Sequence, residues 1–221
     1  NYLKEHGPVG CRDIETLRFL ESKGVPAYFS SCLTLTLGKD YKSSSPRSGL
    51  VFVDPYFTPL RDKLKGKYVY YPKNLLRFVY YFFINLSSAV ALSKNTFFHA
   101  RIPLMKFYNA AMFIHAYKSM FSKEALLNAT YISHIQPVAN DESQESLLSR
   151  AEELVKTYAR SNLVVTSRIH CALPCLAVDT PVLFVVNEKM NSKENLFNAP
   201  GRFAGLIDFF KVLNYSPSGL R

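Results

Sequence analysis

The chain has 221 residues, 48% of them hydrophobic, enough to bury a sizeable core in one large domain or two smaller ones. Four cysteines are too few for a disulfide scaffold at this length, and Cys11, Cys32, Cys171 and Cys175 show neither CxxC pairing nor zinc-like spacing with histidine. Twenty-seven Lys and Arg against 17 Asp and Glu leave a charge of +10, which attracts a negative partner: nucleic acid, anionic membrane, acidic glycan or phosphorylated metabolite.

In chain order, NYLKEHGPVG has no initiator Met and no signal-peptide pattern and reads like the middle of a domain. A helix is expected over 14–23, with Asp13 as N-cap, an apolar stripe of Ile14, Leu17 and Leu20, Gly24 closing it and Pro26 forbidding continuation. A short strand follows at Ala27–Phe29, and the alternation of Leu33, Leu35 and Leu37 with threonines in SSCLTLTL predicts a second. The polar segment GKDYKSSSPRSG, residues 38–49, reads as a linker and the best domain boundary.

GLVFVDP then begins a new unit as a buried strand, residues 59–73 are basic and turn-like, and helices are expected near 74–92 and 103–121. Within the first of these, LLRFVYYFFINLSSAVAL carries Arg77, Asn85, Ser87 and Ser88, too polar and too short for a membrane span, so it reads as a buried or interfacial helix. Three glycosylation sequons, at Asn85, Asn128 and Asn214, are close to what chance supplies. TYISHIQPV, residues 130–138, has a strand's composition. The stretch 145–161 is the cleanest amphipathic helix, with Leu147, Leu148, Ala151, Leu154, Val155 and Tyr158 on one face. NLVVT reads as a strand, SRIHCALPCLAV as a helix that buries Cys171 and Cys175 as small hydrophobes, and TPVLFVV as a strand. Strands and helices that alternate, with continuously apolar strands, define an α/β fold with a parallel sheet covered on both faces.

Ligands of open α/β sheets bind beyond the carboxyl ends of the strands, where helix N-termini present free N–H groups. VVTSRIH has that layout: Ser167 as N-cap, with Arg168 and His170 in the first turn. An arginine opposes the helix dipole there unless an anion lies between them, so a solvated surface arginine and an anion site both remain open. HGPVGCRD is the second candidate, with Arg12 before a helix as Arg168 is, beside His6, Gly7 and Gly10. SSCLTLTL is the third, and its Cys32 reads first as a packed thiol.

GCRD, a helix, SSCLTLTL and a distant LVVTSRIHCALPCLAVDTPVLFV, in this order, resemble the polysaccharide pyruvyl transferase family: its G-x-R-D segment, its Ser-x-Cys-Leu-Thr turn and its Ser-Arg-Leu/Ile-His signature followed by a helix and a Thr-Pro-Val strand. Residues 7–37 and 145–186 carry the match. The resemblance implies a Rossmann-like sheet like the second half of a two-domain GT-B-type glycosyltransferase. On that pattern 1–45 is the C-terminal part of a truncated first Rossmann-like domain, 50–205 the second, and 206–221 a C-terminal helix and tail, with the last helix, 205–213, expected to pack back across the cleft between the domains.

It also implies transfer of a pyruvyl group from phosphoenolpyruvate to two sugar hydroxyls as a cyclic ketal, in the biosynthesis of an exopolysaccharide or cell-surface glycan. Arg12 and Arg168 would bind the donor, with the Ile169 amide, Ser167, Ser31 and Cys32 beside them, and His170 would act as general acid or base. No metal and no cofactor beyond the donor is implied. The acceptor would be a glycan or lipid-linked sugar, with peripheral membrane association a further expectation and nucleic acid not a partner. Lys63, Lys65 and Lys67 could help hold it, and His134 could line the cleft. The compartment would be the cytoplasmic face in a bacterium and the secretory pathway in a eukaryote. Two rivals stand beside this reading: a GT-B nucleotide-sugar glycosyltransferase holding a ribose through Glu188 or Glu194, and a non-catalytic basic module for anionic glycans.

Overall fold

The structure, a computed structural model, describes residues 1–57, 61–64, 67–70, 72–99, 105–134, 143–187, 205–216 and 219–220, with backbone alone for those among 61–75 and for 187, 216 and 219. Ten strands and nine α-helices occur among these residues. After a one-turn helix α1 (Tyr2–Glu5), strands β1 (Val9–Cys11) and β2 (Ala27–Phe29) pair in parallel around α2 (Ile14–Ser22). Asp13 caps α2 as its position predicts, accepting from the backbone N–H of Thr16 at 2.8 Å, and Gly24 ends the helix at φ +67°.

The period-two reading of SSCLTLTL is overturned. Leu33–Leu37 forms a 3₁₀ helix and α3 (Gly38–Tyr41) follows at once. Leu33 is left 82% exposed, while Cys32 and Leu35, three apart, pack against the larger sheet's core. The proposed linker is tied down rather than loose: Arg47 donates to the carbonyls of Ala159 and Val178, and Ser48 N–H to that of Arg160.

The larger sheet is built from β3 (Leu50–Val53), β6 (Thr130–Ile132), β7 (Leu163–Thr166), β8 (Val182–Asn187), β9 (Lys211–Ser216) and β10 (Gly219–Leu220), in the spatial order β6-β3-β7-β8-β9-β10. The first five are parallel and β10 closes the edge antiparallel to β9. A separate antiparallel hairpin, β4 (Arg61–Leu64) with β5 (Lys67–Tyr70), occupies part of the basic, turn-like segment. Because successive strand residues face opposite ways, Phe52, Val165 and Val185 bury under α5 (Leu86–Leu92), α6 (Met105–Tyr117) and α7 (Lys123–Asn128), with α4 (Pro72–Ile84) outside them. Val51, Val53, Val164 and Phe184 bury on the other face under α8 (Gln144–Ala159) and α9 (Ile169–Ala177). This is a Rossmann-like α/β layering.

Two expectations fail. Residues 205–213 are not a helix: a 3₁₀ turn at Ile207–Phe209 leads into β9, so the sheet extends past residue 205 through Lys211–Ser216 and Gly219–Leu220. The apolar face of α8 is buried only toward its C-terminal end, at Tyr158 and Ala159, while Leu147 and Leu148 stay exposed. No helix among the described residues is long and apolar enough to cross a membrane, and the stretch 75–92 is broken between α4 and α5 at Asn85.

Candidate functional site

Within the larger sheet the next strand after β3 is β6, on one side, and the one after that, β7, lies on the other, so the chain direction across the sheet reverses between β3 and β7. At such a switch point the loops leaving adjacent strand ends diverge and open a crevice at the carboxyl edge. Asp54 leaves β3 there at φ +40°, a left-handed conformation that an aspartate tolerates better than most residues. Its Oδ2 lies 3.0 Å from Nε of Arg168, which leaves β7, and also accepts the backbone N–H of His134 at 3.1 Å, which leaves β6. Oδ1 accepts from the Ser133 hydroxyl at 2.9 Å. One carboxylate thus gathers the ends of all three strands. The Arg168 side chain is 43% exposed and that of Asp54 only 12%, so the pair fixes the guanidinium at the protein surface.

The first turn of α9 departs from the expected cap. Arg168 itself, not Ser167, is the N-cap, and its side chain makes no cap bond. The buried Thr166 holds the turn that enters the helix: its hydroxyl donates to the Val53 carbonyl at 2.8 Å and accepts the Arg168 N–H at 2.9 Å. Ser167 accepts the Tyr56 N–H at 2.9 Å, tying the loop after β3 to the loop after β7. Ile169 is buried, and His170 is exposed one residue into the helix.

His134 packs beside this group, its Nε2 2.6 Å from the buried Tyr158 hydroxyl. Burial lowers its pKa first; Asp54 opposes that, while Arg168 and His170 add to it, so the neutral ring is favoured and lies within electrostatic reach of all three. Burial likewise pushes the Tyr158 hydroxyl up, keeping it protonated. Asp54, Ser133 and Tyr158 were not singled out in the sequence. Asp54 had a signal, standing immediately after the first continuous apolar strand, and Tyr158 had one too, since a tyrosine in an apolar stripe needs a partner for its hydroxyl.

The remaining expected residues lie on the small sheet. Arg12 and the segment Ser30–Cys32 stand at the carboxyl ends of β1 and β2, joined by the Ser30 N–H donating to the Cys11 carbonyl. Cys32 accepts from Thr34 Oγ1 at 3.2 Å and packs into the cluster that contains Ile169, as a structural thiol would. Ser31 sits at φ +60° with its hydroxyl buried and, among the described residues, without a hydrogen-bond partner. Cys171 and Cys175 are fully buried. Glu188 and Glu194 lie outside the described residues, as do the side chains of Lys63, Lys65 and Lys67.

A Rossmann-like sheet that gathers a guanidinium, two imidazoles and a half-buried carboxylate at the ends of its strands defines an α/β protein whose polar groups converge at the switch point. The family model for polysaccharide pyruvyl transferases matches residues 1–189, and the chain belongs to that family. No curated protein and no solved structure matches it.

Proposed function

We propose that this chain carries the donor site of a pyruvyl transferase, which takes the pyruvyl group from phosphoenolpyruvate and places it on two hydroxyls of a glycan as a ketal. The observation that carries the reading is Arg168 at the switch point, its plane set by Asp54, with His170 two residues on. A guanidinium binds a carboxylate or phosphate as a two-pronged fork where an ammonium offers a point charge. With Nε on Asp54, the amino edge is left for the donor. Arg12 would supply the second fork and the Ile169 amide a further donor, as the family's pattern implies. Ser31 fits beside them, since a buried hydroxyl lacking a partner is uncommon unless a ligand supplies one.

His170 is the proton-transfer group in this reading, exposed where substrate arrives and of a type that titrates near neutral pH. The enol methylene carbon gains a proton and becomes a methyl group. Two carbon–oxygen bonds form from the sugar hydroxyls to the carbon that bore phosphate, and phosphate leaves. Of the two hydroxyl protons, one ends on the methyl group and the other on phosphate. His134, neutral and anchored to Tyr158, positions Asp54 and Arg168 rather than exchanging protons.

The test is binding followed by turnover. Phosphoenolpyruvate should protect the protein against thermal unfolding and nucleoside diphosphates should not; the opposite result transfers the site to a nucleotide-sugar enzyme. His170→Ala should abolish ketal formation while keeping donor binding, and Arg168→Lys should weaken donor binding by roughly tenfold or more, the loss of one charged hydrogen bond. Wild-type pyruvylation by either variant defeats the assignment.

A further inference from the structure

Helix α4 is apolar on two opposite faces. One packs inward on α6: Phe78 meets Tyr108 at a ring separation of 5.3 Å, Phe82 meets Phe107 at 5.9 Å, and Tyr81 stacks on His115 at 3.5 Å. The other carries Leu76, Val79, Tyr80, Phe83 and Ile84, spaced i, i+3, i+4, i+7 and i+8, and all five are exposed, Leu76 by 74%, Phe83 by 69% and Tyr80 by 62%. Past the break at Asn85, exposed Leu86 and Val90 of α5 follow. Single apolar side chains on a surface need no explanation, but a continuous helical stripe of them does. A helix with two apolar faces calls for a partner on each, and among the described residues the chain supplies one.

Charge identifies the other. Of the 27 basic and 17 acidic residues, eleven basic and one acidic fall between Arg61 and Lys123, so this stretch holds the whole surplus of +10 and the rest of the chain is neutral. Arg77, Lys94, Lys118 and Lys123 are exposed around the stripe. A cavity of about 240 Å³ lies where the stripe passes into α5, walled by Asn85, Ser88, Lys118 and Lys123 over an apolar floor that includes Leu92 and Leu126.

We infer that this face seats the protein on an anionic lipid bilayer, with the α4 stripe entering the acyl boundary and the surrounding lysines and arginine meeting lipid phosphates. An amphipathic surface helix binds membranes through this combination of buried apolar area and basic charge. A second copy of the chain fits poorly, because a two-fold interface here would set two such basic stretches against each other. A soluble acidic glycan would satisfy the charge and leave the apolar stripe in water. The inference rests on the helix and the charge, independently of the pyruvyl-transfer reading.

Co-sedimentation of the full chain with vesicles tests it. The protein should pellet with vesicles of phosphatidylcholine plus phosphatidylserine, less with phosphatidylcholine alone, and less as salt rises. Tyr80→Glu with Phe83→Glu should lower the vesicle affinity by about tenfold or more, with the circular dichroism spectrum unchanged because both sites are exposed on a helix. Lys118→Ala with Lys123→Ala should weaken binding to the anionic vesicles selectively. Failure of the wild-type chain to bind, or equal binding by the Glu variant, overturns the inference. So does a dimer, seen by size-exclusion chromatography, that the Glu variant dissolves while vesicles capture nothing; that result assigns the face to a second copy.

Discussion

At Asp54 three distant parts of the chain meet on one carboxylate: its own strand end, the Ser133–His134 pair and Arg168, 114 positions away. His134 is the member whose chemistry can be followed with pH. Its pKa in the folded protein is lowered by burial, below the value of about 6.5 expected when unfolded. Between those two values the unfolded chain takes up a proton that the folded ring refuses, so stability rises with pH through the window. His134 thus contributes stability that is complete above pH ~6.5 and is lost as pH falls toward the folded pKa. The urea midpoint should drop between pH 7.5 and 5.5, and His134→Gln should flatten that drop. An identical pH slope in the variant would mean that other groups carry it.

At the level of elements, Gly38 and Gly49 separate space from conformation. Gly38 has ordinary right-handed angles, φ −60° and ψ −20°, yet a Cβ there would lie 1.9 Å from the Ala177 carbonyl oxygen at the end of α9. Gly49 is the reverse: φ is +75° and nothing lies within 4 Å of a Cβ. Gly38→Ala must push α3 off α9 and should cost about 1–3 kcal/mol, the usual range for overpacking. Gly49→Ala should cost about 1–2 kcal/mol through backbone strain alone. Chemical denaturation measures both losses, and phosphoenolpyruvate binding distinguishes them, because only Gly38→Ala should also weaken it, through the helix that carries Arg168 and His170.

The same elements show what could be read from the sequence. β3, β7 and β8 were legible because strands buried on both faces are continuously apolar, and α2 because its cap and stop are local chemistry. SSCLTLTL was not: leucines two apart satisfy a strand pattern, whereas the contacts that decide it, Cys32 and Leu35 against α9, are tertiary. Leu206, Phe210 and Leu213 imitate a helical stripe at i, i+4 and i+7, but their burial comes from a 3₁₀ turn followed by a strand in which Leu213 and Tyr215 face inward and Asn214 outward. Arg168 and His170 were visible as a strand–helix signature. Asp54 was invisible as their partner because only the strand order brings β3 beside β7.

For the whole molecule, the small sheet poses the sharpest question. Its own core is three buried residues, Cys11, Leu20 and Val25, far too little to hold a unit of this size by itself. What holds it is the larger sheet. Phe29 and Leu35 pack into the cluster under α9, the ring of Phe29 stacks on that of Phe209 at 6.4 Å, and at Gly205 a Cβ would already meet Ile14 at 2.6 Å. The turn at 205–210 therefore helps fasten the small sheet, which carries Arg12 and Ser31, to the larger one. Phe209→Ala removes one ring of that fastening from the far side. An aromatic pair contributes about 0.5–1.5 kcal/mol beyond its burial, so the small sheet should open locally more often by a corresponding factor of about two to ten. Amide exchange should accelerate in β1 and β2 while β3 and β7 keep their protection, and donor affinity should fall in parallel if Arg12 belongs to the site. Equal loss of protection in both sheets would show instead that the chain opens as one unit.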